Sequence, residues 1–193
     1  MTAQGTSLTL LQRLQHSPDE EAWQRFADIY QPLILQWLRR YAPSEADMDD
    51  IVQDVLLTVF RKLNDFEHNH HTGAFRAWLR TTAVNRLRLM WRTKRPELES
   101  DAFLGQLDQL ADTQSELSKQ WDQEHDAHVA QQLLGQMERE FAPATWHAFR
   151  RQVVDGLKAQ ETAQEMKLSV NAVLIAKSRV LKRLRHVSQG ILE

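Results

Sequence analysis

The sequence predicts an all-α chain: two small helical domains joined by an acidic linker. Glycine and proline are scarce, 6 and 5 in 193 residues, so long runs of helix formers go unbroken. Apolar residues recur at three- and four-residue steps, the helical period. The charges also fall into blocks. Residues 1–95 carry 13 Lys/Arg against 11 Asp/Glu, residues 96–126 one against nine, and residues 127–193 ten against six. The expected division is therefore a first domain over 1–96, an acidic linker over 97–126 and a second domain over 127–193.

Leu8, Leu11 and Leu14 suggest a short leading helix. Ser17-Pro18-Asp19-Glu20 predicts the start of the next, with a capping serine, a proline at the first helical position and a glutamate three residues on. Its inner face would hold Trp23, Phe26, Ala27 and Tyr30, and Pro32 should kink or break it. Pro43-Ser44 starts another helix, with acids in its first turn to complement the helix dipole. Met48, Ile51, Val52, Val55, Leu56, Val59, Phe60 and Leu63 form its core stripe. Its opposite face carries Asp50, Gln53, Asp54, Leu57 and Arg61, a leucine flanked by carboxylates that suits docking.

A polar loop over 64–72 leads to Gly73 and a helix from Ala74 to Arg92. Phe75, Trp78, Leu79, Ala83, Leu87 and Met90 supply its buried side. Arg76, Arg80, Arg88 and Arg92 recur at four-residue steps, interrupted by Val84, and predict a ladder of guanidinium groups. Asn85 sits beside the ladder and reads equally as a donor to a base edge or as a solvated side chain, and Trp91 lies near the ladder's end. The stretch from Pro96 to about Gln114 should be irregular, with room for short helical turns, and a poor core former.

In the second helical block, which begins near Ser115 within the linker, Trp121 to Met137 and Trp146 to Val154 mark two helices. A short helix over Glu161–Lys167, a turn at Leu168-Ser169 and a basic helix from Val170 form a helix-turn-helix pattern, whose second helix enters the major groove. Residues 68–95 hold seven Lys/Arg and no acid, and residues 166–192 hold six and no acid. Two such runs suit phosphate binding by counterion release. Candidate DNA-facing residues of the last helix are Asn171, Lys177, Ser178, Arg179, Lys182 and Arg183.

Other chemistry is weakly signalled. Cysteine is absent, which excludes disulfides and thiolate metal sites. His68, His70 and His71 lie in a loop without a regular element to fix ligand geometry. His125 and His128, one turn apart, likewise read as solvated side chains. No nucleophile–base pair, P-loop or glycine-rich phosphate loop is present, so neither an enzyme nor a cofactor is expected. Residues 1–16 lack a signal-peptide core, and no stretch has the length of an apolar membrane span. A soluble cytoplasmic protein is the expectation.

The stretch DMDDIVQDVLLTVFRKLNDF at 47–66 resembles the polymerase-binding helix of sigma-70 family factors. GAFRAWLRTTAVNRLRLM at 73–90, with Trp91 and Arg92, resembles the adjoining helix that reads and melts the −10 element. The second domain resembles the family's −35-binding domain. Two domains and a short acidic linker resemble the extracytoplasmic-function (ECF) group. The resemblance implies a region 2-like bundle and a region 4-like helix-turn-helix. It further implies a factor that binds core RNA polymerase and directs it to promoters.

Asp50, Gln53, Asp54, Leu57 and Arg61 would dock on the coiled coil of the largest polymerase subunit, and the C-terminal domain on the flap. Phe66 and the histidine loop would border a pocket for a flipped base. Arg76, Arg80, Asn85, Arg88, Trp91 and Arg92 would serve the −10 DNA. Promoter DNA is the second partner, and an anti-sigma factor is a further candidate. One departure stands out. Leu174-Ile175-Ala176 occupies the turn where related factors place basic and small polar residues, so either the DNA-facing register is shifted or that turn is buried. The rival readings are a stand-alone helix-turn-helix regulator and a metalloenzyme built on the histidine loop.

Overall fold

A computed structural model describes residues 10–16, 19–41, 44–66, 73–94 and 101–188. These residues form helices joined by turns, and no strand occurs among them. The helices are α1 (Leu10–His16), α2 (Glu20–Leu38), α3 (Glu45–Lys62), α4 (Ala74–Lys94), α5 (Asp101–Ala111), α6 (Glu116–Glu140), α7 (Pro143–Val153), α8 (Ala159–Met166) and α9 (Val170–Ser188). The chain divides into two compact units, one of Met1–Val129 with Gly190–Glu193, the other of Ala130–Gln189.

In the first unit, α2 begins at Asp19, whose carboxylate accepts from the Ala22 N–H at 2.7 Å. Ser44 caps α3 in the same way through the Asp47 N–H. The proposed Ser17-Pro18 start lies outside the described residues. Pro32 does not break α2, which runs through it. A proline there removes one backbone bond and costs about 3 kcal/mol. Burial of Leu33, Ile34, Trp37 and Leu38 directly after it offsets that cost.

Phe26, Tyr30 and Phe75 meet edge and face at the centre of the unit. Ile51, Val52, Val55, Val59 and Leu63 of the α3 stripe are buried with them. Phe60 departs from the expected stripe: it is 55% exposed and lies against Trp23, ring centroids 4.7 Å apart.

The segment expected as an irregular linker is built differently. It holds α5 and the start of α6, the latter capped by Ser115 through the Ser118 N–H. Leu107, Leu110 and Trp121 are buried, and Trp121 meets Trp37 edge-on at 4.0 Å. The scattered apolar residues of an acidic stretch fall on single helix faces here, which is enough to pack them.

The second unit is a small bundle in which α9 packs on α7 and α8. Ala148, Phe149, Ala163, Val173, Ala176 and Val180 are buried. Helix α8 ends at Lys167 in the left-handed conformation, φ 55°. The Leu168 N–H then returns to the Ala163 carbonyl at 2.9 Å, a helix-ending turn that satisfies a free carbonyl. Ser169 caps α9 through the Ala172 N–H at 3.1 Å. Helix, tight turn and basic helix are thus present at 159–188.

Candidate functional site

Asp50, Gln53, Asp54, Leu57 and Arg61 are all exposed, on one side of α3. Helical period alone aligns them, because the buried stripe occupies the other side. Leu57 is 48% exposed. The same side forms one wall of a groove of about 380 Å³. Its other wall is α4, through Arg86, Leu89 and Thr93. Leu89 is 47% exposed and matches Leu57 across the groove. The floor is apolar, with acids on one rim and Arg86 on the other. The residue pattern of α3 marked one wall. Leu89 and Arg86 went unnoticed because the arginine ladder drew α4 to its other face.

That ladder is where the structure differs most from the expectation of a free cationic edge. Arg76 is half-buried and pairs with Asp122 at 3.4 Å and Asp126 at 2.5 Å. Arg80 is 2% exposed; it donates to Asp122 at 2.5 Å and to the Ser118 carbonyl at 3.1 Å. Arg88 pairs with Asp108 at 2.6 Å. Arg92 is exposed. Burial lowers the affinity of Arg80 for its proton, against the pull of Asp122. The acids are those of the segment expected as a linker, folded back on α4.

The other candidates near α4 divide as follows. Asn85 is exposed. Trp91 is half-buried, donates its indole N–H to the Tyr41 carbonyl at 3.2 Å and lies against Phe103 at 4.6 Å. Phe66 packs on Phe75 and Trp78. His68, His70 and His71 lie outside the described residues. His125 and His128 are not solvated. His125 is fully buried beside Tyr30, its Nδ1 2.9 Å from Asp126, and the His128 ring lies 2.8 Å from the Ile29 carbonyl. Both side chains pack α6 against α2. Burial, with the Asp126 charge, holds the Tyr30 phenol protonated well beyond its usual range. Among the described residues, no group of three His, Cys, Asp or Glu side chains could hold a metal ion, and no helix is long and apolar enough to cross a membrane.

In the second unit, Asn171, Ser178, Arg179 and Lys182 are exposed, and Lys177 is half-buried. Arg183 pairs with Glu140 at 2.6 Å. The departure at 174–176 has an answer here. Leu174 and Ile175 are 48% and 44% exposed, whereas Ala176 is buried. The first two therefore lie on the exposed side of α9 with Asn171, Ser178 and Lys182, at the three- and four-residue steps of one face.

The class these features define is that of all-helical proteins with a grooved helical bundle in one unit and a helix-turn-helix in the other. The sigma-70 region 2 family matches residues 26–97, which takes in α3, α4 and the groove between them. That stretch of the chain is similar to region 2 of sigma-70 factors. The RNA polymerase sigma factor CnrH of Cupriavidus metallidurans is 34% identical over 62 residues, 32% of this chain and 31% of that protein. The match therefore spans about a third of the relative's length. A solved structure of CnrH in complex with the cytosolic domain of CnrY aligns over 91% of this chain and 92% of that one, at 22% identity. Its TM-score is 0.38, too low for the whole-chain superposition to carry weight.

Proposed function

We propose that this protein is a sigma factor that binds core RNA polymerase and directs promoter-specific initiation of transcription. The observation that carries the reading is the groove between α3 and α4, inside the stretch matched to sigma-70 region 2. Its exposed Leu57 and Leu89 offer an apolar centre, and Asp50 and Asp54 an acidic rim. A basic coiled coil of the largest polymerase subunit suits such a surface: charge steers the approach, and the desolvated leucines hold the contact.

The two DNA elements are assigned to different units. Helix α4, with Asn85 and Phe66, would take the opened −10 strand, where an extruded base is held by stacking and hydrogen bonds. Helix α9 would read duplex DNA at the −35 element, with Lys182 and Arg179 on phosphates and Asn171 and Ser178 toward the bases. The acids around Arg76, Arg80 and Arg88 must be displaced before those arginines can hold a strand.

In vitro transcription with core polymerase, with and without this protein, tests the reading. Promoter-dependent initiation that requires the protein supports it. Asp54→Arg with Leu57→Ala should reduce polymerase binding at least tenfold with the helical content intact. Unchanged co-purification of that variant with the core enzyme would overturn the docking surface. Sequence-specific duplex binding without any polymerase contact would instead mark a stand-alone helix-turn-helix regulator.

A further inference from the structure

The ladder of α4 and the acidic segment match in more than net charge. Asp122 and Asp126 lie one helical turn apart on α6 and face Arg76 and Arg80, one turn apart on α4. Asp108 of α5 continues the pairing to Arg88, further along α4. The segment thus presents carboxylates along the arginine face, one turn apart at Arg76 and Arg80 and two turns further on at Arg88. It is a folded element, because Trp121 is buried against Trp37 and His125 beside Tyr30. Its two ends are held differently. Asp122 is 27% exposed against an almost fully buried Arg80, whereas Asp108 is 74% exposed. The Arg88 end is open to solvent and is where a competing anion would enter.

We propose that α5 and the first half of α6 form an internal mask that competes with single-stranded DNA for the arginine face of α4. The proposal rests on the sigma-factor reading for the identity of the competing strand. In the free chain the mask holds Arg76, Arg80 and Arg88. Strand binding requires phosphates to replace the three carboxylates, and neutralising those carboxylates makes the face available.

The test uses the full chain and a mixed-sequence single-stranded oligonucleotide. The triple variant Asp108→Asn, Asp122→Asn, Asp126→Asn is compared with the wild type and with a control, Glu20→Gln, Glu45→Gln, Glu138→Gln. All three control positions are exposed, and the control has the same net charge as the variant. The expected result is at least a tenfold gain in affinity over the control. The salt dependence should also steepen, because each single-strand phosphate contact adds about −0.7 to the slope of log K against log salt. Three freed arginines then add about −2. Equal affinity and slope in variant and control overturn the mask.

If the triple variant does not fold, hydrogen exchange on the wild-type chain at saturating oligonucleotide decides. Faster exchange over 101–126 supports displacement, and unchanged exchange overturns it. Transcription by the wild type with no gain in the triple variant keeps the sigma reading and rejects the mask. A gain without transcription does the reverse.

Discussion

Two helices of this chain carry similar runs of cations and use them differently. On α4, Arg76, Arg80 and Arg88 end on carboxylates, and Arg80 is buried. On α9, Arg183 pairs with Glu140, but Arg179 and Lys182 are exposed with no carboxylate partner among the described residues. The difference lies in what precedes or follows each helix. The chain after α4 enters its most acidic stretch and folds back onto it. Among the described residues of its own unit, no comparable acidic stretch folds onto the exposed face of α9. A run of like charges marks a helix that needs anions, and only the fold decides whether those anions come from within.

The largest effect expected from this contrast is on stability. Asp122→Ala leaves the guanidinium of Arg80 buried with the Ser118 carbonyl as its remaining partner. Removing one member of a buried pair costs about 3 kcal/mol. Glu140→Ala opposite Arg183, both about a third exposed, should cost under about 1 kcal/mol. Thermal or urea unfolding of the two variants measures the difference. Equal losses would mean that the α4 pairs are as dispensable as surface pairs.

These pairs also show what was legible beforehand. The helices α2, α3, α4 and α9 are written in local pattern: caps at Ser44 and Ser169, and apolar steps of three and four. So is the acidic wall of the groove, because one helix supplies all of it. The pairing of Asp108, Asp122 and Asp126 with α4 is not local. The residues lie 20 to 50 positions from their arginines, and the acids alone look like a solvated tether. The same holds for Leu89, whose meaning depends on Leu57 across the groove, and for Phe60, which periodicity placed in the core. Pro32 shows the converse, since its local rule was overridden by the burial around it.

On DNA binding, the comparison predicts opposite outcomes. Lys182→Ala with Arg179→Ala should weaken duplex binding about tenfold and flatten the salt slope by about 0.9 for each lost phosphate contact. Arg88→Ala in the free chain should change duplex binding less than twofold, because its charge is already met by Asp108. A filter-binding series at several salt concentrations checks both. The exposed Leu174 and Ile175 sharpen the α9 side further. Apolar side chains on a groove-facing helix suit thymine methyl groups. Duplexes selected by the protein and remade with uracil for thymine should bind about two- to fivefold more weakly. Leu174→Ala with Ile175→Ala should erase that difference.

A smaller effect is expected at the start of α4. Gly73 has φ +82°, and a Cβ there would lie 2.6 Å from Arg76 Nε. Gly73→Ala therefore combines a left-handed strain of about 1 kcal/mol with displacement of an arginine held by two aspartates. Gly105→Ala, inside α5 where a Cβ meets nothing within 4 Å, should instead raise stability by about 0.5–1 kcal/mol. Melting temperatures of the two variants make the comparison.

The smallest effect concerns acid. Burial raises the proton affinity of the Asp126 carboxyl, but its hydrogen bond to His125 and the Arg76 guanidinium outweigh this and hold it below the usual 3.8. A carboxylate depressed in the folded state stabilises the fold above its unfolded value. The contribution is lost as pH falls through the folded value. The clasp of α6 on α4 should therefore be fully held above about pH 4 and loosen only below it. Asp126→Asn removes this proton linkage, so the melting temperature of the variant should fall less steeply than that of the wild type below that pH. Parallel curves would mean that the tie to Arg76 is as loose as a surface pair, and the contrast between the two cationic helices would then rest on Arg80 and Arg88.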